Sequence, residues 1–220
     1  MIAKELINRR IIPVHMEDTG RSALQVMGDL YVKDLPVVDS EYHYLGIISE
    51  KDIYSHPMDE PISSYGLIFE KIFIKGEDHL FEVLGVMAQY DLSMVPVVNE
   101  KGILQGVIGQ DDLLHFYAKS FSFQEPGSII VMEMGYRDYS MAQISNIIEQ
   151  EGAKILSSFI SSDKQTDKVL LTIKVNATEL QHIESSLMRY GYELKATYAE
   201  KDYEDLLKQR YDLLMNYLGV

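Results

Sequence analysis

The chain contains no cysteine, which excludes disulfides, thiolate metal sites and a cysteine nucleophile. No apolar run approaches the ~18–20 residues needed to cross a bilayer. The opening MIAKELINRR lacks the apolar stretch of a secretory signal. Together these absences give the expectation of a cytoplasmic protein. Positive charge is scarce as well: 34 Asp and Glu stand against 20 Lys and Arg, a net charge of −14. A surface of that sign repels phosphate backbones and anionic lipids, so neither nucleic acid nor membrane is an expected partner. An anionic small ligand must therefore find local positive charge or bring a metal ion. The six histidines are scattered, without HxxxH or HExxH spacing, so no metal site is expected. No nucleophile elbow or phosphate loop occurs, and among 34 acids no general acid–base pair can be singled out.

What is present is an internal repeat. Residues 62–114 lie over residues 2–54 without a gap, at a constant offset of 60, and 13 of the 53 aligned positions are identical. The shared positions include Met27/Met87, Pro36-Val-Val38/Pro96-Val-Val98, Gly46/Gly106 and Asp52/Asp112. Each copy reads as strand, helix, strand, strand, short helix. β-type runs at 11–14 and 72–74 come first. Asp18 and Asp78 are the candidate helix caps, ahead of apolar residues at helical spacing. The buried strands at 35–38 and 95–98 carry a proline near their start. One copy is too small to bury both its faces, so the two are expected to pack as one domain.

The most informative phrase is GIISEKD at 46–52, repeated as GVIGQDD at 106–112. A carboxylate such as Asp52 can accept from both hydroxyls of a ribose, and a charged acceptor makes the stronger bond. Ser49 lies three residues earlier with a second polar group, and Gly46 permits close backbone approach. Taken alone, one copy of these residues reads better as a helix cap and a turn than as a ribose site. In the second copy Gly109 stands in place of the hydroxyl, so half of that polar pair is missing.

The order h-P-V-V-D, polar turn, G-h-h-S-x-x-D resembles the cystathionine-beta-synthase (CBS) domain, and two in tandem resemble a CBS pair, or Bateman module, over residues 1–120. The resemblance implies a regulatory module rather than an enzyme. It implies an adenosyl ligand (AMP, ADP, ATP or S-adenosylmethionine, with or without Mg2+) in a cleft between the repeats, and a protein partner, unidentified, that receives the signal. Carried over by position, the first cleft would comprise Ile47, Ser49, Asp52, Ile72, Ile74, Ser93 and Met94. The second would comprise Ile12, Val14, Lys33, Asp34, Val107 and Asp112, with Lys33 its cation. The absence of positive charge at Ser93-Met94 makes a neutral or cationic adenosyl compound, or a nucleotide with its metal ion, the better match. Gly109 implies a weaker or vacant second site. A structural module with vacant clefts, serving oligomerisation or partner docking, is the alternative.

Residues 121–128, with Pro126-Gly127, read as a linker. Beyond it, strands at 129–134, 155–161, 169–175 and 192–198 alternate with helices ending near Gly152 and Gly191, and Thr178 is the expected cap of the second helix. The order βαββαβ is the ferredoxin-like split pattern. After a CBS pair it resembles an ACT domain, over residues 129–199, and this order of modules is similar to that of acetoin-utilisation accessory proteins. The overall class is α/β (α+β). Residues 200–220 read as a C-terminal helix with an apolar stripe through Tyr203, Leu206, Leu207, Leu213, Leu214, Tyr217 and Leu218. A homodimer or higher oligomer is expected.

Overall fold

The computed structural model describes residues 1–163 and 167–200, with 211, 215 and 217 in the tail. The apolar stripe expected over 200–219 falls almost wholly outside the described residues. The chain divides into two compact units, Met1–Phe116 and Tyr117–Val220.

In the first unit the repeat builds β1 (Val14–His15), α1 (Gly20–Leu30), β2 (Asp34–Val38), β3 (Tyr44–Ser49) and α2 (Glu50–Tyr54). The second copy supplies α3 (Leu80–Tyr90), β4 (Met94–Val98), β5 (Leu104–Gly109) and α4 (Gln110–Ser120), whose last residues, from Tyr117, are counted with the second unit. β2 pairs antiparallel with β3, and β4 with β5, in the same register sixty residues apart. The expected leading strands are shorter than their β-rich sequence indicates: β1 holds two residues, and in the second copy only Ile74 bridges to Val97. The helix caps also fall one residue late. Thr19 and His79 cap α1 and α3, while Asp18 and Asp78 accept from the backbone N–H of His15 at 2.8 Å and Lys75 at 2.7 Å, closing the turns ahead of the helices.

The copies share one interior. Met94 and Val107 of the second copy join Met27, Leu35, Val37 and Ile48 of the first in one buried cluster. The strand turns meet across the pair, with Tyr44 N donating to Gly102 O at 2.8 Å and Leu104 N to Tyr42 O at 3.1 Å. Burial of apolar side chains from both copies against each other is the main stabilisation, at roughly 25 cal/mol per Å2 removed from water.

The second unit contains β6 (Ser128–Gly135), α5 (Met141–Gln150), β7 (Ile155–Asp163), β8 (Lys168–Val175), α6 (Gln181–Arg189) and β9 (Glu193–Tyr198). Its sheet has the order β7-β8-β6-β9 with every neighbour antiparallel, the ferredoxin-like arrangement. Alternate residues Ile130, Met132 and Met134 of β6 are buried with Ile144 and Ile148 of α5 and Leu187 of α6, as the period-2 and helical patterns require. Ser128, placed in the linker by sequence, is the first residue of β6. The linker lies against its own sheet, where Lys174 Nζ donates to the carbonyls of Ser122 at 2.7 Å and Glu125 at 2.6 Å. α6 begins after Leu180, which makes no side-chain cap, so Thr178 is not the cap expected of it.

Candidate functional site

The phrase at 46–52 folds as the end of β3 running into α2. Gly46 has φ +150°, and a Cβ there would collide with the Phe69 side chain and come within 2.8 Å of Glu70 O. The close approach that this glycine permits is thus that of the other copy's leading segment, which crosses β3 and accepts from Ile47 N through Glu70 O at 3.1 Å. Gly106 serves the same crossing in the second copy, where a Cβ would stand 2.7 Å from Asn8 O. Asn8 and Val107 exchange both backbone bonds, at 2.7 and 3.1 Å.

These crossings frame two clefts. The first, of about 290 Å3, is contributed by both copies: Asp34, Ile47, Ser49 and Asp52 from the first, residues 67–70 and Ile72 of the crossing segment, and Tyr90 and Leu92 at and beyond the end of α3. Its volume sits at the lower edge of the ~300–1,000 Å3 of small-molecule sites. Three of its lining residues are acids, Asp34, Asp52 and Glu70, and among the described residues none is Lys, Arg or His. The three are not gathered for a cation: among the described residues no group of three His, Cys, Asp or Glu could hold a metal ion.

Ser49 caps α2, and with Asp52 it forms a reciprocal capping box. Asp52 Oδ2 accepts from Ser49 N at 2.9 Å and from Ser49 Oγ at 2.7 Å. Asp52 Oδ1 accepts no hydrogen bond among the described residues. The second cleft, about 210 Å3, differs at this point. Asp112 Oδ2 accepts from Gly109 N at 2.9 Å, and the Asn8 side-chain amide stands 3.4 Å from both carboxylate oxygens. The chain therefore offers Asp112 its own donor, where Asp52 has none beyond Ser49.

Of the residues expected in the first cleft, Ile47, Ser49, Asp52 and Ile72 line it together. Ile74, Ser93 and Met94 do not. Ile74 and Met94 are buried in the interior, where Ile74 N is bonded to Pro96 O. Ser93 lies on the second cleft and is held by Asp34: Ser93 N and Oγ both donate to Asp34 Oδ2, at 3.1 and 3.0 Å. Asp34 changes sides in the other direction, from the expected second cleft to the first. Asp112 lines the second cleft, whose cation is Arg10 rather than Lys33; Lys33 contributes its backbone N–H to Ser93 Oγ at 3.0 Å. In that cleft Ile11 replaces the expected Ile12, which is exposed, and Val14 and Val107 are buried in the interior. Position-by-position transfer also missed Glu70, Tyr90 and Asn8. Tyr44, buried with Val38, Val98 and Leu104, donates from its hydroxyl to the carbonyl of the cleft residue Ile72 at 2.6 Å, and burial raises its phenol pKa.

Comparison with known proteins follows the same division. The chain is 27% identical over 115 residues to a homoserine O-acetyltransferase of Methanobrevibacter ruminantium, a match covering 52% of this chain and 24% of that protein. It thus spans about a quarter of the length of that curated relative. Among solved structures it is similar to a CBS domain pair/ACT domain protein from Thermotoga maritima, at 22% identity and a TM-score of 0.48, covering 54% of this chain and 98% of that one. It is also similar to a CBS domain pair in complex with 5′-methylthioadenosine and S-adenosyl-L-methionine, at 21% identity and a TM-score of 0.45, covering 54% and 97%. The CBS domain model matches twice, at residues 3–59 and 67–119, on the two copies that build the clefts, and the chain belongs to the CBS domain family as a tandem pair.

Proposed function

We propose that the chain is a regulatory, non-catalytic sensor that binds a neutral or cationic adenosyl ligand in its first cleft. The observation that supports this reading is the contrast between the two aspartates. Asp112 is met by the Asn8 amide, whereas Asp52 keeps an acceptor oxygen open on a cavity with apolar Ile47 and Ile72 in its walls. An open carboxylate oxygen beside an apolar wall matches a ribose diol carrying a flat base. The acids Asp34 and Glu70 disfavour a bare phosphate and favour a ligand such as S-adenosylmethionine or 5′-methylthioadenosine over AMP. ADP and ATP would have to bring Mg2+ as their own counter-charge.

Because both copies contribute walls, a bound ligand would tie them together and stabilise the pair by mass action. That change of stiffness is what a protein partner would read. The ferredoxin-like unit we read as ACT-like, serving homodimerisation rather than amino-acid binding. A second reading, a docking or oligomerisation module without ligand, draws on the capping box, which satisfies Ser49 and one Asp52 oxygen internally. Calorimetric titration with S-adenosylmethionine, 5′-methylthioadenosine, AMP and Mg-ATP separates the two. Binding of the first two with weak or absent AMP binding supports the sensor. Heatless titrations with all four, alongside a dimer by light scattering, support the docking module.

A further inference from the structure

A third cavity, about 460 Å3, lies at the strand-turn end of the second copy. In a chain with net charge −14, its walls carry three lysines, Lys4, Lys75 and Lys101, with two acids, Glu77 and Glu100. Lys4 stands 3.8 Å from Glu77. Among the described residues neither Lys75 nor Lys101 forms an ion pair. Ile7 and Val98 supply apolar wall, and Asn99 lines the cavity with them.

The repeat provides an internal comparison. In the first copy Asp39 closes the same strand turn, its Oδ1 accepting from Glu41 N at 2.9 Å and His43 N at 2.8 Å, while its Oδ2 meets His43 Nδ1 at 3.0 Å. In the second copy Asn99 Oδ1 accepts from Lys101 N at 2.9 Å and Ile103 N at 3.0 Å. The turn is preserved, and the group that was a second acceptor is now an amide Nδ2, bonded to nothing among the described residues. Glu41 has become Lys101 and His15 has become Lys75, while Ser40 has become Glu100. At one equivalent place two positions gain an ammonium donor and one gains a carboxylate, on a turn closed by the same pair of backbone bonds.

We infer that this cavity binds the phosphoryl group of a small organic phosphate monoester, with Lys75, Lys101 and the Asn99 amide as donors and Ile7 and Val98 against its organic part. Ammonium groups from separate segments suit a tetrahedral anion approached from several sides. A planar carboxylate is better matched by an arginine fork, which the cavity lacks. The site is distinct from the first cleft and shares no lining residue with it.

The test is a 1H–15N titration of the full chain with phenyl phosphate at fixed ionic strength, since exposed charges are screened by salt. Expected are saturable shifts of the Asn99 side-chain amide and of Gly76 and Lys101. They should be absent with phenol or sodium chloride, smaller with benzoate, and retained in Asp52→Asn. Lys75→Ala and Lys101→Ala should each weaken binding about tenfold, the scale of one hydrogen bond to a charged group. Asn99→Asp with Lys101→Glu restores the first copy's chemistry on a turn that already accepts it, so the variant should fold and fail to bind. No saturable shift at this cavity, equal binding of benzoate, or an affinity unmoved in Asn99→Asp/Lys101→Glu would overturn the inference.

Discussion

Asp52→Asn separates the two roles that the carboxylate combines. The asparagine has the same size and keeps one oxygen for the Ser49 N–H, now 2.9 Å from Asp52 Oδ2. What it loses is the charge and the open acceptor, in whose place stands an N–H donor. The helix-capping part of the change is small, because Asn and Asp serve comparably around helix starts, and even full loss of such a cap costs ~0.5–2 kcal/mol. The ligand part is larger. A hydrogen bond to a charged group is worth ~1.5–3 kcal/mol, so the Kd for S-adenosylmethionine should rise from about tenfold to more than a hundredfold. Calorimetry reads the affinity, and a thermal scan without ligand reads the fold. The expected result is a melting point within a few degrees of wild type, on the scale of ~4–8 °C per kcal/mol for a unit of about a hundred residues, together with a collapsed affinity. Asp112→Asn is the matched control and should leave affinity intact, since Asp112 already faces Asn8. The reasoning is refuted if Asp52→Asn binds as tightly as wild type, or if Asp112→Asn is the variant that loses binding.

Gly109→Ser places a Cβ 3.3 Å from Asp112 Oδ2 at a backbone any residue adopts, so it should fold; combined with Asn8→Ala it should raise the calorimetric stoichiometry from one site toward two, and an unchanged stoichiometry counts against the Asn8 plug. Gly46→Ala meets a positive φ and the Glu70 carbonyl at 2.8 Å, and should cost about 2 kcal/mol or more in urea unfolding; a neutral substitution would mean the crossing segment is not held as described. Glu133 accepts from Lys168 at 2.6 Å and lies 3.2 Å from Lys195, and the bond to Lys168 first, then that to Lys195, holds its carboxyl pKa below the ordinary glutamate value. A depressed carboxyl stabilises the fold above its unfolded pKa and loses that contribution as pH falls through its folded value, so Glu133→Gln should flatten the acid limb of a urea-midpoint profile, and high salt should do the same to wild type; an unchanged limb removes the ion pair from the account.

Much of this fold is legible in the residues because each element carries its own period. The strands of the second unit alternate one face into the core, as Ile130, Met132 and Met134 do, and the helices return an apolar residue every turn. The phrase around Pro36 and Pro96 reads as strand because both prolines sit where neighbouring apolar residues are buried on every side. The misplaced caps have a local cause. An aspartate just ahead of a helix can satisfy either the helix N–H groups or the turn before it, and Asp18 and Asp78 do the second. Which of these occurs depends on the path of the preceding chain, which no residue type encodes.

The candidate site was legible only where it is local. Ser49 and Asp52 are three residues apart on one strand–helix junction, so their proximity follows from the sequence. The facing wall does not, because it is set by where the other copy's leading segment crosses. Glu70 bridges Ile47 and Asn8 bridges Val107, and these two crossings run two residues out of step with the sixty-residue repeat. An ungapped comparison therefore pairs Asn8 with Ile68 and Arg10 with Glu70, and misses that Asn8 and Glu70 occupy equivalent places. The slip has a chemical consequence. It sets an amide donor opposite Asp112 and a carboxylate-bearing residue on the cleft of Asp52, so identical aspartates in duplicated phrases meet opposite partners. If the leading segments were in step, Ile68 would oppose Asp52 as Asn8 opposes Asp112, and the acidity of the first cleft would rest on Asp34 and Asp52 alone. Glu70→Gln isolates that contribution: it should improve binding of AMP relative to S-adenosylmethionine several-fold, by removing one like charge from the cleft. An unchanged ratio would show that the cleft's preference does not come from the crossing segment.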